Sequence, residues 1–490
     1  MSNSMTQRAV QEAVEWGLSN GLAFKSSAAV ATQVPFSFTP SVIEQARFER
    51  IRHSSPVLAK LIHAISEDTA FLIQAIEPVA DGDPFFRALL AMEKQLADAP
   101  RLPVLMMRSD FMDDQVRGPQ LIEFNGIAAG MGPFGQRIHQ LHQYLSQQWS
   151  EAFGDWLSAH QGPLVANRAI TGLADGIALA SHQIKREHAD EGPVRFLMVV
   201  QENEDNVYDQ HLLEQALHRR GIQSVRRSFD DLSHALSTGA GQRLMLDGVG
   251  SIDFVYLRAG YQYQDYVSPS DSEQDCCEKL ALTRMQIERH RVAVNATVSQ
   301  QLATSKRVQT LLAAMPIDCF SRFGLDIDEA KLVKAVLGDI RPVTLANINW
   351  FQAQRSSDWV LKNQREGGGH CLFDEAILPR LQSLSVADYP SWALMRRIQP
   401  VPRPSAALVV RQARTQVVDD LISEIGIFTV HVNGVPATED NGYAGYLIRS
   451  KSAKATEGGV HSGVGVLDSL AFALESVMTE STQTDVDTDA

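Results

Sequence analysis

Apolar residues recur at helical spacing at Val10, Ala13, Val14 and Leu18, which predicts a surface helix near the start of the chain. The same period predicts helices over 57–75 and 85–97. At 102–107 and 120–125 the pattern becomes that of strands, separated by a polar turn containing Gly118-Pro119. Helical spacing resumes from 135 to 187. Beyond Gly192-Pro193 the texture alternates: strand at 194–201, helix at 209–219, strands at 224–229 and 252–257. Such alternation predicts a compact α/β unit over about 194–293. A helical region follows, then an apolar strand opening 359–369. Strands at 425–433 and 446–449, with Gly434-Val435-Pro436 turning after the first, complete the pattern. The last stretch, 480–490, is polar and acidic and is expected to be disordered. The expected organisation is a body formed by 1–193 and 294–478, an inserted unit at 194–293 and a tail at 479–490.

At 490 residues the chain exceeds what one ordinary core supports, so two or three domains are expected. Hydrophobic content of 44% and charged content of 21% are those of a globular protein. With 44 basic against 58 acidic residues the net charge is −14, which argues against nucleic-acid or anionic-membrane partners. An anionic ligand would therefore need a local basic pocket. The four cysteines (Cys276, Cys277, Cys319, Cys371) form no CxxC pair, which fits a reducing compartment better than a disulfide framework or zinc site. Cys276 and Cys277 read as plain loop or helix positions. The N-terminus lacks the order of a signal peptide, and no apolar run reaches the roughly 20 residues that cross a bilayer. A cytoplasmic address is expected.

Three segments carry candidate chemistry. Trp359-Val360-Leu361-Lys362-Asn363-Gln364-Arg365-Glu366-Gly367-Gly368-Gly369 delivers a lysine, a carboxylate and three glycines after an apolar strand. Successive glycine N–H groups form anion nests, a neighbouring lysine suits a phosphate, and Glu366 suits the accompanying magnesium. A flexible surface loop is the alternative. In Leu121-Ile122-Glu123-Phe124-Asn125 a strand would turn Glu123 and Asn125 to one face, and Ile122 and Phe124 to the packed side. That acid–amide pair suits magnesium, or is the solvated face of an edge strand. Gly458-Gly459-Val460-His461-Ser462-Gly463-Val464-Gly465 follows Arg449-Ser450-Lys451, and suits either a mobile cover over anions or a long surface loop. His139 and His142 read as decoration on an exposed helix, and Trp359 as core.

Taken with further blocks, these motifs make the chain resemble the eukaryotic-type glutathione synthetases, members of the ATP-grasp ligases. The blocks run from Met107-Arg108-Ser109-Asp110 through Ile122-Glu123-Phe124-Asn125, Asn206-Val207-Tyr208-Asp209-Gln210 and Tyr256-Leu257-Arg258-Ala259-Gly260-Tyr261. They continue with Gln301 to Gln309, Lys362 to Gly369, Ser423-Glu424-Ile425-Gly426-Ile427-Phe428, Leu447-Ile448-Arg449-Ser450-Lys451 and Val466-Leu467-Asp468. The resemblance implies a mixed α/β (α+β) class: a permuted ATP-grasp fold with an inserted α/β substrate-binding domain and a glycine-rich lid. It implies that Glu123, Asn125 and Glu366 hold Mg2+. Lys306 and Lys362 would meet the ATP phosphates, Gly367, Gly368 and Gly369 would close over them, and Lys451 would add a cation. Met395, Arg396 and Ile398 would border the adenine and Glu424 the ribose. Arg108, Ala128, Gly130, Asn206, Gln210, Arg258, Tyr261, Arg449, Val460 and His461 fall at substrate positions. Arg108, Lys306, Lys362 and Arg449 are the expected catalytic groups.

The family reaction joins γ-glutamylcysteine to glycine through an acyl phosphate, with ATP as co-substrate and no protein nucleophile, commonly in a homodimer. Positioning and charge neutralisation would supply the acceleration. The chain departs from the family at several places. Ala128 and Gly130 replace serines, His370-Cys371 an asparagine pair, Arg396 a glutamate, and His461-Ser462 two alanines of the acceptor loop. His461 would narrow the acceptor pocket, reach towards an acceptor with its own side chain, or point to solvent. A ligase for a different amine and a non-catalytic binding homologue are the alternatives. The set Glu123, Asn125, Lys306, Lys362 and Glu366 speaks against the latter, because unused buried charges are costly to keep.

Overall fold

A computed structural model of the chain describes residues 2–158, 161–267, 278–364, 371–456, 458–461 and 463–474. The acidic tail, Glu366 with the triple glycine, His370, Ser462, Cys276 and Cys277 lie outside the described residues.

The centre is a 13-stranded sheet whose pairing changes character at one strand, Leu102–Asp114. On one side of it lie strands 421–432, 443–452 and 466–468, all antiparallel to their neighbours in that series. On the other side run 293–295, 254–257, 194–199 and 222–227, all parallel. Both faces are covered. Leu105, Met107, Leu197 and Val199 join a core with the helices Gln45–Ser66 and Pro84–Leu96. Val104, Met106, Phe196 and Met198 join another with the helices Gly132–Gln148, Ala169–Glu187 and Val207–His218. Burial on both faces explains why the strand at 194–199 reads as an unbroken apolar run. A separate 4-stranded sheet, in the order 340–342, 392–396, 359–363, 372–373, carries its own core around Trp359, Leu361 and Leu394. Trp359 is a core residue, as expected, with its ring edge-on to Trp350 at 5.1 Å.

The structure corrects several sequence-based boundaries. The expected helix at 57–75 is two, Gln45–Ser66 and Thr69–Ala80, because the Asp68 carboxylate accepts from the Phe71 N–H at 2.9 Å and caps a new start. The helical stretch at 135–187 is interrupted by the strand Gln161–Leu164. The strand expected at 224–229 is Ile222–Arg227, since Ser228 and Asp231 form a capping box that begins a helix at Phe229. His139 and His142 are buried, not surface decoration. His142 Nδ1 meets the Ser469 hydroxyl at 2.7 Å and Nε2 donates to the Ser37 carbonyl at 2.8 Å. Burial pushes both imidazoles down to about 4, so they are neutral structural groups.

Glu93, in the helix Pro84–Leu96, is 1% exposed, and its Oε2 has no hydrogen-bond partner among the described residues. Burial, and then the nearby Glu288, push its carboxyl up to about 7. A raised folded-state value means that this group's contribution is fully present below its unfolded value and is lost as pH rises through about 7. Glu93→Gln is therefore expected to flatten the stability profile across that interval. The variant should exceed the parent above neutrality, by roughly 3 kcal/mol at most. Urea titrations at acidic and mildly alkaline pH read the difference, and parallel profiles for the two proteins would refute it.

Candidate active site

The strand Leu102–Asp114 carries apolar Val104 and Met106, then on the same face Arg108 and Asp110. At that point it is paired on both sides. Asp110 lies opposite Glu123 on one side and Gly426 on the other, and Arg108 lies opposite Asn125 and Phe428. Gly426 leaves the room these side chains need, because a Cβ there would sit 2.7 Å from Arg108 Cδ and 2.8 Å from Asp110 Oδ1. Asp110, fully buried, gathers the floor. It accepts from Arg108 at 2.6 and 2.8 Å, from Asn125 Nδ2 at 2.9 Å and from Arg449 Nη2 at 3.1 Å. Arg449 also pairs with Glu424, its cross-strand neighbour. Burial works against the Arg449 charge, but Glu424 and Asp110 outweigh it and raise its pKa.

Glu123 and Asn125 share the cavity face, while Phe124 turns into the core. Ile122 does not follow Phe124. A register shift opposite Asp110 and Phe111 leaves it half-buried on the cavity wall, where its carbonyl accepts from Lys362 Nζ at 3.1 Å. Lys362 arrives on the strand Trp359–Asn363, whose following residue, Gln364, accepts from the Arg307 N–H at 2.8 Å. That bond docks the strand end on the start of the helix Lys306–Ala314, and Lys306 Nζ lies 3.4 Å from Glu123 Oε2. Burial would raise the Glu123 carboxyl, but Lys306, Lys362, Arg449 and Arg108 hold it down to about 2.

These groups line one cavity of about 1710 Å³. Val360, Phe373, Met395, Ile398 and Ile422 give its wall apolar groups, and Arg396, Lys451 and Glu424 line it as well. Ala128, Gly130, Asn206, Arg258, Tyr261, Val460 and His461 also line it. Ala128 and Met131 take positive φ of 51° and 67° in the turn leaving the Glu123 strand, a conformation that costs energy at non-glycine residues and clusters at functional sites. Arg258 Nη2 donates to Glu204 at 2.7 Å and its guanidinium fills the space beside Gly130, where a Cβ would lie 2.1 Å from Nη1. Asn206 Oδ1 is buried without a hydrogen-bond partner among the described residues, which leaves an acceptor for a ligand. Gln210 stands behind the wall and donates to Glu204 at 2.5 Å. His461 lines the cavity with its side chain 40% exposed, and its ring lies against Phe24 and bonds Asp205, so it does not stand free. Cys371 lines the cavity half-buried, and burial raises its thiol, which argues against a thiolate nucleophile there.

Sequence reasoning assigned no role to Asp110, Glu204 or Asp209. Asp110 had a visible signal, since it follows Arg108 by two on one strand. Glu204 had none, because its partners Arg258 and Gln210 come from other elements. Asp209 accepts from the Met131 and Phe134 N–H groups at 2.9 and 3.1 Å and so fixes the turn that carries Gly130.

The donor set suits a hard divalent cation. Asn125 turns its Nδ2 to Asp110, which leaves Oδ1 as its acceptor beside the ionised Glu123. No group of three or more His, Cys, Asp and Glu side chains able to hold a metal is present among the described residues. Two protein oxygens with room for phosphate oxygens and water match what Mg2+ accepts.

A family model described as "Eukaryotic glutathione synthase, ATP binding domain" matches residues 3–472. The glutathione synthetase of Homo sapiens is 30% identical over 478 residues, covering 94% of this chain and 95% of its own length. The chloroplastic glutathione synthetase of Solanum lycopersicum is 27% identical, covering 89% of this chain and 77% of its own length. A solved structure of a glutathione synthetase-like effector from Globodera pallida, in apo form, aligns with a TM-score of 0.70 at 18% identity. The alignment covers 95% of this chain and 96% of that one, so the two share a fold. Among the described residues no helix is long and apolar enough to cross a membrane.

Proposed function

The chain belongs to the eukaryotic glutathione synthase family, and from that premise we propose that it makes glutathione by MgATP-dependent ligation of γ-glutamylcysteine and glycine. One observation carries the reading. Glu123, Lys306, Lys362, Arg108 and Arg449 converge in a single cavity whose wall also carries apolar side chains suited to adenine and polar ones suited to a peptide. In the proposed reaction a dipeptide carboxylate oxygen attacks the γ-phosphorus, the bond to ADP breaks, and an acyl phosphate forms. The glycine nitrogen then attacks that carbonyl, phosphate leaves, and the amine proton passes to solvent. Lys306 and Lys362 meet the phosphate oxygens, and Lys451 adds charge near the nucleotide. Burial lowers the pKa of Lys451, with Glu424 opposing that shift. Arg108, Arg258 and Arg449 orient the carboxylates, since guanidinium groups bond both oxygens at once. Glu123 and Asn125 would hold Mg2+, which when bound withdraws charge from the phosphates. Residues 194–293 are proposed as the substrate-binding insert, because Asn206, Arg258 and Tyr261 come from them. A homodimer in the cytoplasm completes the proposal, and sedimentation of the purified protein tests the dimer.

The deciding assay is ADP release with MgATP and γ-glutamylcysteine across a panel of acceptor amines, with the product weighed by mass spectrometry. Fastest release with glycine, yielding glutathione, is expected. Preference for serine or β-alanine would make the protein a related ligase, and ATP binding without turnover on any acceptor would overturn the enzymatic reading.

The close approach of Arg258 to Gly130 gives a second test. Gly130→Ala must displace the guanidinium from Glu204. The KM for γ-glutamylcysteine should rise by roughly 10- to 100-fold, the scale of one charge-assisted hydrogen bond. The KM for ATP should hold. Equal changes in both constants would argue against this assignment.

A further inference from the structure

Residues 458–461 line the cavity, and His461 ties them to two distant parts of the chain. Its Nδ1–H donates to Asp205, with the carboxylate oxygens at 3.0 and 3.1 Å. Its ring centroid lies 4.5 Å from that of Phe24, with the planes inclined by 34°. Asp205 is itself anchored, for its carbonyl accepts from the Lys25 N–H at 2.8 Å. Its neighbours Glu204 and Asn206 are the residue that pairs with Arg258 and the one whose Oδ1 has no hydrogen-bond partner among the described residues. Val460, 2% exposed, packs into the core beneath. The 458–461 segment and the 203–206 loop, both on the cavity wall, are therefore joined by the His461 side chain.

We propose that His461 is a positioning residue: it latches the 458–461 segment onto the Asp205 loop so that the activated carboxyl meets the acceptor amine and not water. The proposal rests on the ligase reading above. In both outcomes the electrons of the acyl–phosphate bond leave with phosphate, and only the nucleophile that joins the carbonyl differs. Attack by the amine gives amide and phosphate, whereas attack by water returns dipeptide and phosphate, a net hydrolysis of ATP. His461 and Asp205 are 40% and 47% exposed, and pairs so placed are weak. A weak latch suits a loop that must open in every cycle to admit peptide and release product.

The test is the ratio of ADP to glutathione formed by the purified enzyme, together with hydrogen exchange of the unliganded protein. The parent should give a ratio near one. His461→Ala and Asp205→Ala should each raise it to about two or more, as water reaches the acyl phosphate. The KM for ATP should be unchanged. The double variant should do no more than either single one, and His461→Asn, which keeps a donor near the place of Nδ1, should restore the ratio. A general packing defect would not be rescued in this way. His461→Ala should also speed exchange at 200–206, and Asp205→Ala at 458–461, without substrate present. A ratio of one in both single variants, or effects that add in the double, would overturn the proposal. So would unchanged exchange at 200–206. A parent that forms no glutathione would sink the ligase reading instead, while the exchange experiment still decides whether the latch exists.

Discussion

Glu123→Gln is expected to lower ADP release by about 10²–10³-fold while leaving the protein folded and able to bind ATP. The substitution keeps the shape of the side chain and removes a charge that four cations surround. With that carboxylate gone, Lys306, Lys362, Arg108 and Arg449 face one another with less anionic compensation. Nucleotide affinity in the absence of metal should then hold or rise. Dependence on magnesium should weaken, because the ionised oxygen donor on this strand has been lost. The sign of the pKa shift sharpens the test. A carboxyl held down to about 2 is ionised throughout any practical assay range, so its contribution to stability is lost only as pH falls through that value. Any acid limb in the parent's rate profile must arise elsewhere, and Glu123→Gln should not move it. Turnover measured against magnesium concentration, alongside ATP titration, checks the set. Unchanged turnover with unchanged magnesium dependence would refute the assignment.

Asp110→Ala should cost more in stability than any other single change in the cavity floor, about 3–5 kcal/mol, because it strands buried cations. Two guanidinium groups and the Asn125 amide share this carboxylate, which has no exposure to solvent. Arg449 retains Glu424 as a partner, but Arg108 keeps only the Gly130 carbonyl, at 3.2 Å, as a hydrogen-bond acceptor among the described residues. Asp110→Asn should fall between parent and Asp110→Ala, since the amide oxygen still accepts hydrogen bonds but carries no charge to offset the guanidinium groups. Urea denaturation of the three proteins gives the order. Equal midpoints for Asp110→Ala and the parent would show that the floor is not held this way.

Much of the site was legible because strands write their faces in alternate letters. Glu123 and Asn125 could be placed side by side from spacing, and Lys362 at a strand end, before any coordinates. The places where periodicity misled share one cause, local hydrogen bonding that overrides pattern. Asp68 and Ser228 end elements that the apolar period would continue, and the register shift at Ile122 turns a residue that simple alternation would bury. His139 and His142 misread for a different reason. Two histidines at helical spacing look the same on a wet face as in a dry one, and the Ser37 and Ser469 partners of His142 come from remote sequence. Distance in the chain also hid Glu204 and the contact of His461 with Asp205 and Phe24. The sheet, by contrast, was harder to read than its strands. Nothing in the run Leu102 to Asp114 announces that its start pairs in parallel and its remainder antiparallel.

That double pairing separates two time scales within one cavity. Exposing Arg108 or Asp110 to solvent requires two ladders to part at once, so their amides should exchange only with global unfolding. Residues 203–206 and 458–461 are held by side-chain contacts and few backbone bonds, and should open locally. In rising denaturant the enzyme should therefore forfeit its rim before its floor. It would pass through a state that still gathers the buried charges of the floor after the rim has opened, so loss of any ligase turnover would precede melting.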